Sequence, residues 1–176
     1  MPARKEPAVN PLREGLRQER LAAGTVMVIF GASGDLTRKK LMPALYNLAL
    51  EGLLPANFAV IGMARRPLTN QQFRTQMREA VDRYSRTGKA NDEVWKSFAQ
   101  GITYVSGNFD NPASFQLLKK EIERVEKEHE TGGNRLFYCA TPPDHFIPIV
   151  QNLGRSRNAQ DETNGLRGIP SQIAAQ

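Results

Sequence analysis

Two glycines at the end of an apolar run could hold a phosphate group. The stretch FGASGDLTRKK, residues 30–40, contains Gly31 and Gly34. Glycine lets the backbone adopt positive φ and approach a ligand closely, and the first amides of a helix point at an anion. The three cations at positions 38–40 would each oppose the helix dipole by roughly 0.3 to 1 kcal/mol, a cost that a bound anion would relieve. Such cations alone could be a solvated helix face, but directly after Gly-Ala-Ser-Gly they favour a phosphate site.

The spacing of the residues narrows the class of nucleotide. The turn is not a P-loop, because no Gly-Lys-Ser/Thr ending is present. It is also an imperfect dinucleotide fingerprint, since Ser33 and Leu36 stand where G-x-G-x-x-G requires glycine. A better discriminator is GMARRPL, in which Arg65 and Arg66 follow a second apolar run with no acid nearby. Arginine there accommodates a ribose 2′-phosphate, so the sequence favours NADP over NAD.

The elements that would position these residues alternate between strands and helices. Apolar runs predict four strands, at residues 25–30, 58–64, 102–109 and 135–140. Helices are expected at about 36–50, 70–84, 92–98 and 111–129, and a last one opens at Thr141-Pro142-Pro143. Asp35 is expected to cap the first helix, and Pro43 should kink it. This alternation predicts an α/β fold with a doubly wound parallel sheet, a Rossmann-like dinucleotide-binding domain.

The same pattern predicts the domain organisation. We expect residues 1–24 to form a flexible N-terminal extension and residues 25–154 to form the NADP-binding domain. After Gly154 neither helical nor strand periodicity continues, so residues 155–176 are expected to be an irregular, disordered tail. The parallel sheet is therefore expected to be incomplete at its C-terminal side.

Composition limits the class of protein and its partners. None of the apolar runs in the 176 residues approaches the roughly 20 residues of a membrane span, so no membrane partner is expected. The net charge of +6 is weaker than the basic stripe of a nucleic-acid binder, so no nucleic acid is expected either. The single cysteine, Cys139, excludes an intramolecular disulfide and predicts the cytoplasm. The two histidines lie far apart and offer no metal-ligand spacing, so we expect no metal.

Four segments together carry a resemblance to a known family. They are VIFGASGDLTRKKLMPALYNLALEGLLP, FAVIGMARRPLT, YVSGNFDNPASF and NRLFYCATPPDHF. Over about residues 26–154 the chain resembles the N-terminal coenzyme domain of glucose-6-phosphate dehydrogenase. That family oxidises glucose 6-phosphate to 6-phosphogluconolactone and transfers the hydride to NADP, at the start of the pentose phosphate pathway. The resemblance implies a nicotinamide dinucleotide as ligand and, in the full-length family, a homo-oligomer.

The resemblance also implies which residues contact the coenzyme. Those residues are Gly31, Ala32, Ser33, Gly34, Asp35, Leu36, Thr37, Arg38, Lys40, Arg65, Asn108, Phe109 and Tyr138. The turn from Gly31 to Leu36 would hold the pyrophosphate, and Arg65 would contact the 2′-phosphate. Asn108 and Phe109 match the adenosine side, and Tyr138 matches a tyrosine of the coenzyme pocket.

The chain departs from the family pattern beyond residue 154. The family's Glu-Lys-Pro-Phe-Gly segment and its Arg-Ile-Asp-His-Tyr segment, which contains the catalytic base, are absent from the 176 residues. We therefore assign no catalytic residue and expect a truncated or altered chain that is inactive alone, with glucose 6-phosphate a substrate only of the complete enzyme. His145 lies near the predicted ligand edge, but without a substrate-phosphate site it is a poor substitute base.

Two other functions remain open at this point. The chain could be a noncatalytic nucleotide-binding fragment that associates with an intact dehydrogenase. It could also be an NADP reductase or epimerase of the extended short-chain type. That class expects a third glycine near Thr37 and a Tyr-x-x-x-Lys pair, but Leu50 and Gly88 stand four residues after Tyr46 and Tyr84.

Overall fold

The computed structural model describes residues 23–156, so the expected extension at residues 1–24 and the tail at 155–176 lie almost wholly outside the described residues. Strands and helices alternate as the sequence predicts. The strands are β1 (Thr25–Phe30), β2 (Phe58–Ala64), β3 (Ile102–Ser106) and β4 (Arg135–Cys139). The helices are α1 (Met42–Leu50), α2 (Asn70–Tyr84), α3 (Asp92–Gln100), α4 (Pro112–His129) and α5 (Phe146–Arg155). Among these residues no helix combines the length and apolar character needed to cross a membrane.

The four strands form one parallel sheet in the order β3-β2-β1-β4. Each parallel neighbour is reached through a helical crossover, so helices cover both faces of the sheet. Phe30, the last residue of β1, lies opposite Met63 of β2 and Cys139 of β4. The doubly wound architecture predicted from the sequence is therefore confirmed, and it brings the carboxyl ends of β1, β2 and β4 to one edge.

Alternate residues of β1 supply two separate cores. Met27 and Ile29 face a core shared with α1, α2 and α3. Val26, Val28 and Phe30 face a second core shared with α4 and α5. Because β1 is buried on both faces, its uninterrupted apolar sequence is typical of a central parallel strand.

The helix after β1 begins differently from the prediction. The Arg38 amide donates to the Gly34 carbonyl, so Gly34 occupies the cap position and Asp35 already lies inside the first turn. The prediction that Asp35 caps this helix is therefore wrong, because its carboxylate lies one residue too late to reach the first amides. It pairs with Lys39 at 2.7 Å instead.

A π-helical turn, Thr37–Leu41, separates this first turn from α1. The Met42 amide donates to the Thr37 carbonyl, five residues earlier. Pro43 follows at once and has no amide to donate, so the wider turn absorbs the residue that the sequence predicts as a kink.

The connection between α2 and α3 is tied by polar side chains. Arg78 donates to Asp82 at 3.2 Å, to Asp92 at 2.7 Å and to the Ala90 carbonyl at 2.8 Å. Its guanidinium lies 5.7 Å from the centre of the Trp95 ring. These contacts fix the loop against both helices.

A second set of bonds ties the same connection to α1. The buried Asn47 accepts hydrogen bonds from the hydroxyls of Ser85 and Thr87, at 2.7 and 3.0 Å. The Asn91 amide donates to the Tyr46 hydroxyl at 2.8 Å. Residues 85–91 are therefore a loop whose polar groups are largely satisfied from within the protein.

Candidate functional site

A pocket of about 310 Å³ opens at the carboxyl edge of the sheet. Its lining comes from the turn after β1, the end of β2, the loop after β3 and the segment between β4 and α5. The lining residues are Gly31, Ser33, Gly34, Ala64, Arg65, Arg66, Phe109, Ala140, Thr141, Pro142 and His145. Open α/β sheets bind their ligands at this edge.

The turn after β1 passes unusually close to the end of β4. Gly31 has φ of +82°, and a Cβ there would lie 2.5 Å from the Ala140 carbonyl oxygen. Only glycine fits such a position without strain. The amides of Gly31 and Ala32 both donate to the Met63 carbonyl, which anchors the turn to β2.

The same turn leaves polar groups without partners. The Ser33 amide and hydroxyl form no hydrogen bond within residues 23–156. The Thr141 side chain lies beside Gly31, and its buried hydroxyl oxygen also lacks a partner in the described chain. Ser33 is partly exposed at the pocket, so its amide and hydroxyl fit a ligand that brings hydrogen-bonding groups, as a phosphate does.

The remaining residues of the predicted phosphate segment do not line the pocket. Ala32 and Thr37 are fully buried, and the Thr37 hydroxyl donates to the Gly31 carbonyl at 3.3 Å, so Thr37 supports the turn from below. Leu36 is exposed, as are Asp35 and Lys40. The pocket thus brings together Gly31, Ser33 and Gly34 of this segment, and a direct ligand contact from its other members stays a prediction.

The cations of the segment have different environments. Lys39 is held by Asp35, and their hydrogen bond and attraction lower the pKa of the Asp35 carboxyl and raise the pKa of the Lys39 ammonium. Lys39 therefore already has an anionic partner within the protein. Arg38 is half-buried, and its Nε atom lacks a hydrogen-bond partner in residues 23–156.

The end of β2 brings two arginines to the pocket. Arg65 and Arg66 are exposed, and neither forms an ion pair within the described residues. Their backbone is fixed by Tyr104 of β3, whose hydroxyl lies 2.6 Å from the Arg66 carbonyl and 3.2 Å from the Ala64 carbonyl. Burial raises the pKa of the Tyr104 phenol, an effect that Arg66 partly opposes. No Asp or Glu of the described chain lines the pocket.

The loop after β3 and the start of α5 complete the pocket. Phe109 is 4% exposed and packs edge-on against His145, with ring centres 5.5 Å apart. Asn108 does not line the pocket. Tyr138, in β4, is half-buried and packs against the core on the α1 side. Coenzyme contacts by Asn108 and Tyr138 therefore stay predictions without a pocket position to support them.

Sequence reasoning placed His145 near the ligand edge without assigning it a coenzyme contact, and it missed three lining residues on the β4 side, namely Ala140, Thr141 and Pro142. The available signal was the position of Thr141-Pro142-Pro143 directly after an apolar strand, at the edge where ligands bind. The arrangement as a whole can hold a phosphate over the glycine turn and a planar group beside the arginines. No cluster of metal-ligating side chains occurs among residues 23–156.

Comparison with known proteins places this site in a family. Residues 28–168 match the family described as "Glucose-6-phosphate dehydrogenase, NAD binding domain". A glucose-6-phosphate 1-dehydrogenase of Chlamydia muridarum is 48% identical over 130 residues, which are 74% of this chain and 26% of that protein. Glucose-6-phosphate 1-dehydrogenase 2 of Mycobacterium tuberculosis is 41% identical over 155 residues, 87% of this chain and 30% of that protein.

Solved structures agree with these matches. A glucose-6-phosphate dehydrogenase in complex with its substrate glucose-6-phosphate superposes with a TM-score of 0.68 at 36% identity, covering 76% of this chain and 28% of that one. The enzyme from Mycobacterium avium gives a TM-score of 0.65 at 30% identity, covering 77% and 27%. The chain thus spans between a quarter and a third of the length of these relatives, over the part that binds a dinucleotide coenzyme.

Proposed function

The chain belongs to the glucose-6-phosphate dehydrogenase family, and from that premise we propose that its pocket binds NADP in preference to NAD. The observation that carries the proposal is the pair of unpaired arginines, Arg65 and Arg66, at the end of β2. A dinucleotide without the 2′-phosphate is usually held there by an acid that accepts hydrogen bonds from the ribose. Two guanidinium groups instead suit a doubly charged phosphate.

Different residues of the chain would bind the two phosphate-containing parts of the coenzyme. The glycine turn and the Ser33 amide face the pyrophosphate, with Gly31 allowing the close approach. Arg65 faces the 2′-phosphate, and the Tyr104 hydroxyl keeps the backbone on either side of Arg65 in place. When bound, the nicotinamide ring would supply the hydride acceptor.

For an enzyme that contains this domain, we propose oxidation of glucose 6-phosphate to 6-phosphogluconolactone with hydride transfer to NADP. The family membership supports the reaction, and a solved relative carries glucose 6-phosphate as its substrate. Within residues 23–156 the pocket contains no carboxylate that could take a proton from the sugar. We therefore expect the 176-residue chain alone to bind coenzyme without turnover. Homo-oligomerisation and a cytoplasmic location stay predictions.

Calorimetric titration of the 176-residue chain with NADP⁺ and NAD⁺ tests the coenzyme proposal. We expect tighter binding of NADP⁺ by at least about tenfold, because a charge-assisted hydrogen bond is worth about 1.5 to 3 kcal/mol. Arg65→Ala should weaken NADP⁺ binding by about 10- to 100-fold and leave NAD⁺ binding within a factor of about three.

The matched control is Arg83→Ala. Arg83 is an exposed arginine of α2 that lies over the Tyr84 ring, away from the pocket lining. The Arg83→Ala substitution removes the same charge from the protein as Arg65→Ala and should leave the affinities for NADP⁺ and NAD⁺ unchanged. Equal affinity of the unaltered chain for the two coenzymes, or equal losses in the Arg65 and Arg83 variants, would contradict the proposal.

A further inference from the structure

His145 occupies a wall of the pocket that neither the phosphate turn nor the arginines account for. It is the last residue of a short 3₁₀ turn, Pro143–His145, and its amide donates to the Pro142 carbonyl at 3.1 Å. The side chain is half-buried and lines the pocket together with Arg65, Arg66 and Phe109. His145 comes from the segment after β4, and its ring contact with Phe109, at 5.5 Å between ring centres, brings it beside the loop after β3.

The imidazole ring rests on a rigid support. Phe109 is almost fully buried and meets Phe30 of β1 edge to face, with ring centres 5.9 Å apart. The buried Asn152 side chain of α5 donates to the Phe109 carbonyl at 2.9 Å, which ties the loop after β3 to the helix that follows His145. His145 and Phe109 therefore form one aromatic unit whose inner ring is fixed in the core.

A half-buried aromatic ring at the rim of a nucleotide pocket has a specific use. A purine offers a flat π-face, and stacking on a side-chain ring is favourable whichever base is bound. The neighbouring guanidinium of Arg66 can approach the same base, because guanidinium groups also stack on flat rings. Phe109 is too buried to offer its own face, so His145 is the aromatic ring that this wall presents.

We propose that His145 contacts the adenine base of the coenzyme, holding it by ring contact while Phe109 supports the imidazole from behind. This inference rests on the proposed coenzyme function. It gives His145 a binding role at the adenosine end, where no hydride is transferred. It also requires no change in the charge of the imidazole, because the contact uses the ring face.

Three substitutions distinguish ring contact from hydrogen bonding, with 2′,5′-ADP and NADP⁺ as titrants of the full 176-residue chain. His145→Ala should weaken both ligands by about 5- to 150-fold, the range expected for base stacking. His145→Phe keeps a ring and should stay within about threefold of the unaltered chain. His145→Asn keeps hydrogen-bonding capacity without a ring and should resemble His145→Ala.

The sequence provides an internal control for a second measurement. It contains two histidines, and the other, His129, lies in the last turn of α4 and does not line the pocket. In an imidazole-selective NMR spectrum, 2′,5′-ADP should shift the ring protons of His145 by the ring current of the base and leave those of His129 in place. This measurement needs no variant, so it stands even if a substitution impairs folding.

The outcomes separate this inference from the coenzyme proposal. If the unaltered chain binds neither ligand, the coenzyme proposal fails and this inference fails with it. If the ligands bind and Arg65→Ala weakens them, but His145→Ala has no effect or the His145 protons do not shift, only the inference is overturned. It is also overturned if His145→Asn binds well and His145→Phe does not, because His145 would then act through a hydrogen bond.

Discussion

The pocket rim and the α2–α3 connection are built from the same residue types, yet their polar groups differ in whether they find partners within the protein. In residues 85–91 the hydroxyls bond to Asn47, and Arg78 bonds to two carboxylates and a carbonyl. At the rim, Ser33, Thr141 and Arg65 have no comparable partners among the described residues. An arginine or a glycine does not indicate function by its type. The contrast shows that a binding site is recognised by polar groups that have no hydrogen-bonding or charged partner within the protein.

The largest expected effect comes from matched glycine substitutions in the two regions. Gly31 and Gly88 share φ of +82°, but a Cβ at Gly88 would have no atom within 4 Å. Both alanine variants should lose about 1 to 2 kcal/mol of unfolding free energy from the left-handed backbone. Gly31→Ala should lose roughly 1 to 3 kcal/mol more from the clash with Ala140, measured by urea denaturation. Equal losses would show that the turn can move away from β4.

The next effect compares two arginines. Arg78→Ala should reduce the free energy of unfolding by about 2 kcal/mol, because it leaves Asp82 and Asp92 without their charged donor and exposes the Trp95 ring. Arg65→Ala should change it by less than about 0.5 kcal/mol. Thermal or urea unfolding of both variants without ligand measures this. If Arg65→Ala is as destabilising as Arg78→Ala, the arginine at the rim has a structural role and the contrast between the regions fails.

A smaller effect comes from Thr→Val substitutions, which replace a hydroxyl by a methyl group of similar size. Thr87→Val should lose about 0.5 to 1 kcal/mol with its bond to Asn47. Thr141→Val removes a buried hydroxyl without a partner in the described chain, so stability should be unchanged or slightly higher. A loss at Thr141 similar to that at Thr87 would mean that water or another group already satisfies its hydroxyl.

The smallest effect is chemical and depends on pH. Burial raises the pKa of the Cys139 thiol above its ordinary 9.0, at the pocket end of β4. The native state therefore favours the neutral thiol, so this group's contribution to stability is intact below pH 9 and is lost as pH rises above it. Iodoacetamide should alkylate the native chain more slowly than the urea-unfolded chain at pH 8. The rate for the native chain divided by the rate for the unfolded chain should rise above pH 9, because the unfolded thiol ionises first. Equal rates at pH 8 would show that this end of β4 is open.

Local patterns predicted most of the fold. The uninterrupted apolar runs gave β1 and β2 with the bounds that the structure has, because a strand buried on both faces leaves a continuous signal. The third run extended too far, since Phe109 is buried in the core from a loop and not from β3. An apolar run in the sequence indicates that its residues are buried, but it does not by itself indicate that they form a strand.

The site was less predictable because its geometry depends on contacts between distant segments. The hydrogen bond from the Tyr104 hydroxyl to the Arg66 carbonyl joins residues 38 positions apart. The sequence around either residue gives no signal that predicts this bond. The position of Asp35 depended on where the first helical hydrogen bond falls, a matter of one residue that the helix-capping pattern could not resolve. The glycine turn was predictable because steric freedom is a property of a single residue.

The π-helical turn at Thr37–Leu41 places one extra residue between the glycine turn and α1. A π-helical turn holds one residue more than the α-helical geometry requires, and each residue turns an α-helix by about 100°. Deleting one residue between Gly34 and Pro43 would therefore convert the segment to a regular α-helix and leave the glycine turn in the same orientation relative to the apolar face of α1, whereas inserting one residue would rotate it by about that angle. Insertions accumulated during evolution should therefore be found in exposed loops such as residues 51–57, and single-residue deletions are the length change that positions 34–43 should tolerate.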